Sequence, residues 1–106
     1  MTVLAVRTLE VARQLAPAST ADSSVREILA NEIRRRMNRY ELLIRRFVAK
    51  YGMDFETFRD QRVVEKHDYS FEVESDYCDW EMAVTGLAAL KEQLTKLGAD
   101  RDAARR

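Results

Sequence analysis

Between residues 25 and 51, the apolar positions Ala30, Ile33, Met37, Tyr40, Ile44, Phe47 and Tyr51 recur at intervals of 3, 4, 3, 4, 3 and 4. That alternation keeps one side of an α-helix apolar, as along a coiled-coil seam, and predicts a single long helix. Leu29, Leu43 and Val48 widen the stripe, so the helix is expected to meet more than one neighbour. Arg45, Arg46 and Lys50 fall in its last turns, where cations suit the negative end of the helix dipole, and Gly52 follows as a left-handed terminator.

A second stripe begins at Val73 and runs through Tyr77, Trp80, Val84 and Leu87 at intervals of 4, 3, 4 and 3. Lys91 interrupts it, and Leu90, Leu94 and Leu97 carry a slightly rotated stripe to Gly98. Ser70 is placed to cap this helix. Gly86 lies inside it, at a cost of about 1 kcal/mol relative to alanine, which implies a close approach or a slight bend.

The stretch "KYGMDFETF" at 50–58 joins the two patterns. Asp54 can cap a short helix over about 54–64, with Met53 and Phe58 forming the hydrophobic staple at its entry. Phe55 and Phe58 are then expected to plug the end of the pair. Two helices of about 27 residues, each about 40 Å long, joined this way should fold back antiparallel. The expected register sets Tyr51 near Ser70, Tyr40 near Met82 and Ile33 near Leu87, and brings Arg45, Arg46 and Lys50 alongside Glu72, Glu74, Asp76 and Asp79.

Upstream, Leu4, Val11 and Leu15 suggest a short helix from about Thr8, although residues 3–7 also suit an extended segment. "APASTADSS" at 16–24 holds the only proline and reads as a linker ending in a cap at Ser23 or Ser24. "ADRDAARR" at the other end should fray. The organisation is thus an N-terminal segment and linker (1–24), a helical hairpin domain (25–98) and a frayed tail (99–106). The fold class is all-α: a long antiparallel hairpin with a short capped helix at the joint and a short N-terminal helix, completed as a bundle by dimerisation.

Charge refines this picture. The chain has 106 residues with 18 basic and 18 acidic side chains, so it lacks the overall positive field of a nonspecific nucleic-acid binder. Residues 21–52 nevertheless carry eight basic side chains against four acidic ones, and residues 53–82 carry three against ten. In the expected hairpin these opposed charges largely cancel. Composition is 46% hydrophobic and 34% charged, a small core for the surface to be covered, which favours a homodimer. Leu29, Leu43, Val48 and Leu90 are the stripe residues left for that contact.

One cysteine, Cys78, excludes an intrachain disulfide framework and a Cys-rich zinc site, and points to a reducing, cytoplasmic setting. Arg7, Glu10 and Arg13 interrupt any signal-peptide core, and no run of about 18 apolar residues could span a membrane.

The candidate chemistry is sparse. Glu72, Asp76 and Asp79 stand at i, i+4 and i+7 with His67 nearby, the donor types of a divalent-metal site, but carboxylates also favour a helix start for its dipole. His67 has no second histidine or nucleophile elbow beside it, so no catalytic residue, cofactor or metal is assigned. In "RRRMNRY", Arg35, Arg36 and Arg39 flank the seam and offer donors to carboxylates or phosphates. With Leu43 and Val48 they form the expected partner-binding set.

The segments "RYELLIRRFVAKYGMDFETF" and "SFEVESDYCDWEMA" resemble a family of short prokaryotic proteins with an F-x-x-K-Y-G-M-x-F-x-x-F joint and an E-V-E-x-D-Y-x-x-W-E helix. Phe47, Lys50, Tyr51, Gly52, Met53, Phe55 and Phe58 match the first pattern. Glu72, Val73, Glu74, Asp76, Tyr77, Trp80 and Glu81 match the second. The resemblance covers about 47–81 and implies an antitoxin-like partner of a small toxin. The first 36 residues also resemble the strand, helix, helix order of ribbon-helix-helix DNA binders, but Val3, Leu4 and Val6 stand where base-reading strands alternate polar side chains. The leading expectation is a protein-interaction module, antitoxin-like, binding a protein encoded by a neighbouring gene. A DNA-binding autoregulator using residues 2–7 and the arginine flank is the alternative, and a metal-dependent enzyme using His67 and the acidic face comes third.

Overall fold

The computed structural model describes residues 5–98, and among these every regular element is helical. In chain order these are α1 (Val6–Leu15), α2 (Ala21–Tyr51), α3 (Phe55–Asp60), α4 (Val63–Lys66) and α5 (Phe71–Leu97). The two long helices, of 31 and 27 residues, pack as the expected hairpin. The chain divides into two compact units, one made of residues up to Arg35 together with those from Glu92 onward, the other spanning residues 36–91.

In the first unit, α1 begins at Val6, so Val6 and Arg7 are helical, while Thr2, Val3 and Leu4 of the proposed strand lie outside the described residues. The α2 helix starts at Ala21, earlier than the linker reading placed it. The cap is Thr20, whose Oγ1 accepts the Ser23 N–H at 3.1 Å. Neither Ser23 nor Ser24 serves as the cap: Ser24 is fully buried and its hydroxyl donates to the Thr20 carbonyl at 3.2 Å. A threonine three residues ahead of a free N–H satisfies an orphan donor as well as the serines could, and it lengthens the helix by a turn. The tail expected to fray, 99–106, lies outside the described residues.

The second unit contains the joint. Gly52 takes φ +67° and its N–H donates to the Val48 carbonyl at 2.8 Å, closing α2 as the sequence predicts. Asp54 then caps α3, its carboxylate accepting the Thr57 N–H at 2.9 Å. Phe58 is fully buried and Met53 packs on the same cluster, the two ends of the expected staple. The predicted single helix over 54–64 is in fact two, because Arg62 adopts φ +52° and breaks it. In an unbroken helix Val63 would point about 140° away from Phe58 around the axis. The break turns both into the core.

Ser70 caps α5 through a 3.3 Å hydrogen bond from the Val73 N–H, and Gly98 at φ +74° ends it. The hairpin register differs from the expected one by about a turn and a half. Tyr51 meets Asp76 and Trp80 rather than Ser70, and Tyr40 meets Gly86 rather than Met82. The cause is the joint: the opening turns of α5 extend past the end of α2, and Val73 joins a cluster with Phe58 and Val63 of the short helices. Gly86 provides the close approach expected of it, since a Cβ there would lie 2.7 Å from the Tyr40 ring.

The core of this unit is aromatic. Trp80 and Phe58 are fully buried, and Phe47, Phe55, Val63 and Val73 complete the cluster, with Leu43, Ile44, Tyr51 and Tyr77 against it. Two stripe residues assigned to an outer surface therefore lie inward, for Leu90 is buried and Leu43 packs on the core.

The joint is testable by substitution. Gly52→Val has open space for its side chain, so its cost comes from the positive φ alone and should be about 1 kcal/mol or more. Asp54→Ala should lose about 1 kcal/mol with the cap. Urea denaturation midpoints check both, and unchanged midpoints would contradict the joint described.

Candidate functional site

Lys50 closes the hairpin from the polar side. Its Nζ donates to Glu72 at 2.7 Å and to Asp76 at 2.6 Å, linking the last turn of α2 to the first turns of α5. The Tyr51 hydroxyl donates to the same Asp76 oxygen at 2.5 Å. This Lys50 pairing realises part of the charge cancellation expected from the sequence. It also reassigns the acidic face: Glu72 and Asp76 converge on an ammonium group, and among the described residues no three His, Cys, Asp or Glu side chains are grouped to hold a metal. His67 and Asp79 are exposed.

The cluster perturbs its members in consistent directions. Burial pulls Asp76 upward, but the hydrogen bonds from Lys50 and Tyr51, with the Lys50 charge, outweigh it and hold the carboxyl below its ordinary value. Tyr51 is pushed up to about 12 by burial and by its bond to the Asp76 carboxylate. Lys50 is raised by its hydrogen bonds to Asp76 and Glu72. Asp54 is lowered by the Thr57 hydrogen bonds of the α3 cap.

On another side of this unit a cleft of about 490 Å³ opens between the short helices and the start of α5. Phe58, Val63, Val64, Tyr77 and Cys78 give it an apolar lining, and Arg59, Arg62, Glu65 and Glu74 supply charges of both signs. Arg62 holds Glu65 loosely at 3.6 Å, and Arg59 lies 5.9 Å from the Phe55 ring centre. Tyr69 stands at the rim in the left-handed conformation, as does Asp68 before it. Nothing in the stripe pattern signalled this cleft, because it depends on the break at Arg62.

The arginines singled out from the sequence are all exposed on α2, with Arg35 reaching Glu32 at 3.4 Å. Val48 is exposed as well, whereas Leu43 is half-buried on the core side. The sequence reading missed the surface of α1. That helix buries Ala12, with Ala16 immediately after it, while Val6, Val11 and Leu15 are 70%, 54% and 73% exposed. Val11 and Leu15 are one turn apart and share a face. Among the described residues no helix is long and apolar enough to cross a membrane.

A pH titration of stability separates the polar cluster from the apolar core. Asp76 has a depressed folded pKa, so its contribution is complete above the ordinary aspartate range and is lost as pH falls through the lower folded value. Tyr51 has a raised one, so its contribution is complete below the ordinary tyrosine range and is lost as pH rises towards about 12. Asp76→Asn should remove the Asp76 part of the acid limb in urea midpoints, leaving that due to Asp54, and should weaken the alkaline limb without abolishing it, because the burial of Tyr51 remains. Parallel wild-type and variant curves would contradict the assignment.

The chain matches no family model, no curated protein and no solved structure, so its functional reading rests on these surfaces.

Proposed function

We propose that this chain is a small helical protein-interaction module, an antitoxin-like regulator that acts as a homodimer and binds a protein encoded by a neighbouring gene. The observation that carries this reading is the inverted face of α1. A helix that packs for its own stability buries its largest aliphatic side chains, each worth about 1.5–3 kcal/mol on full burial, and leaves alanines outside. Here Ala12 and Ala16 are buried with Leu9 half-buried on their side, while Val6, Val11 and Leu15 stand in solvent. A macromolecular partner that covers them recovers that free energy.

Partner chemistry follows from the neighbouring positions. Arg7 and Thr8 border the Val11 and Leu15 face. An apolar patch beside an arginine suits a protein surface whose apolar centre is rimmed by carboxylates, and Arg35, Arg36 and Arg39 are separate exposed residues of α2 that suit the same chemistry. In the second unit Leu42 and Val48 of α2 and Met82 of α5 are further exposed apolar side chains available to a partner.

Co-expression with the product of the neighbouring gene, followed by affinity capture and a growth assay, tests the proposal. The expected result is a stoichiometric complex and rescue of growth, both lost in Val11→Asp and Leu15→Asp chains whose helix content and urea midpoints match the wild type. Absence of a complex and of rescue, or a complex indifferent to both substitutions, would contradict it. Salt-dependent retention of DNA without any protein complex would replace it with the autoregulator reading.

A further inference from the structure

Phe71 is the most exposed of the large apolar side chains among the described residues, at 86%. It is the first residue of α5, directly after the Ser70 cap, and nothing in helix formation demands an aromatic there. Glu74 and Cys78, which line the cleft, follow it at i+3 and i+7 on the same side of α5. A protruding aromatic ring therefore stands beside an apolar cleft, both on one helix face and both within residues 36–91.

We propose that a second copy of this chain docks here, with the Phe71 ring of each copy seated in the cleft of the other. The inference rests on the homodimer part of the reading above and supplies its contact. A two-fold interface needs a surface complementary to itself, and this one provides both halves side by side. The ring is the projection, and Val64, Tyr77 and Cys78 line the receiving cleft, with the buried Phe58 and Val63 behind them. The charges fit the same operation, since Arg59 stands on α3, Arg62 at the break before α4, and Glu74 on α5. A two-fold rotation sets the arginines of one copy against the acidic helix start of the other. Their present ion pairs, 3.5 Å from Arg59 to Asp60 and 3.6 Å from Arg62 to Glu65, are loose, and a guanidinium has five N–H groups to share.

The rim is shaped for the contact. Asp68 and Tyr69 are consecutive non-glycine residues in the left-handed region, with φ +53° and +56°. The turn is closed by hydrogen bonds from the Asp68 N–H to the Glu65 carbonyl and from the Tyr69 N–H to the Val64 carbonyl, each 3.0 Å. This costly backbone holds Tyr69, itself 59% exposed, at the edge of the cleft instead of folding it inward. A heterologous protein could offer an aromatic ring to the cleft, but that occupant leaves Phe71 uncovered. The second copy covers both.

Sedimentation equilibrium of the full chain, with Phe71→Asp and Phe71→Cys variants, tests the proposal. The wild type should be dimeric at about 100 µM, and Phe71→Asp should weaken the dimer by about 30-fold or more, as for loss of a central anchor, without changing the far-UV spectrum. Under mild oxidation Phe71→Cys should yield a covalent dimer linked between position 71 of one copy and Cys78 of the other, identified by peptide mass spectrometry. Positions 71 and 78 on one helix are about 10 Å apart, too far for a disulfide within a single chain. A wild-type dimer unaffected by Phe71→Asp and lacking the 71–78 linkage would overturn this contact while leaving the homodimer reading intact. A wild-type monomer at that concentration would overturn both.

Discussion

Trp80 has no solvent exposure, and its ring is surrounded by aromatic side chains from both neighbouring segments. Phe47 and Tyr51 of α2 stack on it with centroids at 5.4 and 5.9 Å, and Phe55 and Phe58 of α3 approach at 5.5 and 5.0 Å. One side chain of α5 thereby fixes both the end of α2 and the orientation of the joint. Removing such a ring costs about 3–5 kcal/mol, a large share of the 5–15 kcal/mol by which a domain is stable. Gly52, the Asp54 cap and the break at Arg62 gain their importance from this packing, because each steers an aromatic residue towards it. Trp80 also carries a cost. Its indole Nε1 is buried without a hydrogen-bond partner, a penalty of about 1–3 kcal/mol that the aromatic contacts must exceed.

The polar cluster on Lys50 plays a smaller part in stability and a larger one in register. Lys50 and Glu72 are substantially exposed, and solvent screening makes an exposed ion pair a minor contributor to stability. Asp76 is the member that is mostly covered, and it is the one held by both Lys50 and Tyr51. A slip of the hairpin by one turn would leave that carboxylate covered and unpaired, which penalises the wrong register more than the pairing rewards the right one.

The stripes of α2 and α5, the terminators Gly52 and Gly98, and the caps at Asp54 and Ser70 were legible in the sequence, because each is a local effect of spacing or of one side chain. The register was not. It depends on where α3 and α4 stop, and Arg62, an arginine in a left-handed conformation, carries no local signature of the break it makes. The start of α2 was misplaced for a related reason, since four hydroxyl residues in "STADSS" could each cap and only packing selects Thr20. The Lys50 pairing was legible as a charge asymmetry, but its choice of Glu72 and Asp76 follows from the shifted register. The α1 surface and the cleft were invisible to periodicity: the first inverts the usual rule of burial, and the second forms between three elements whose arrangement had to be known first.

Hydrogen exchange of the Trp80 indole N–H under native conditions, followed by NMR, tests most directly whether the hairpin is organised around this ring. The proton should exchange only through global unfolding, with a free energy of opening equal to that from urea denaturation and shared by the amides of residues 80 and 83. Exchange several kcal/mol easier than global unfolding would show that the joint opens locally, and would contradict an account in which α2, α3 and α5 are held by one aromatic core.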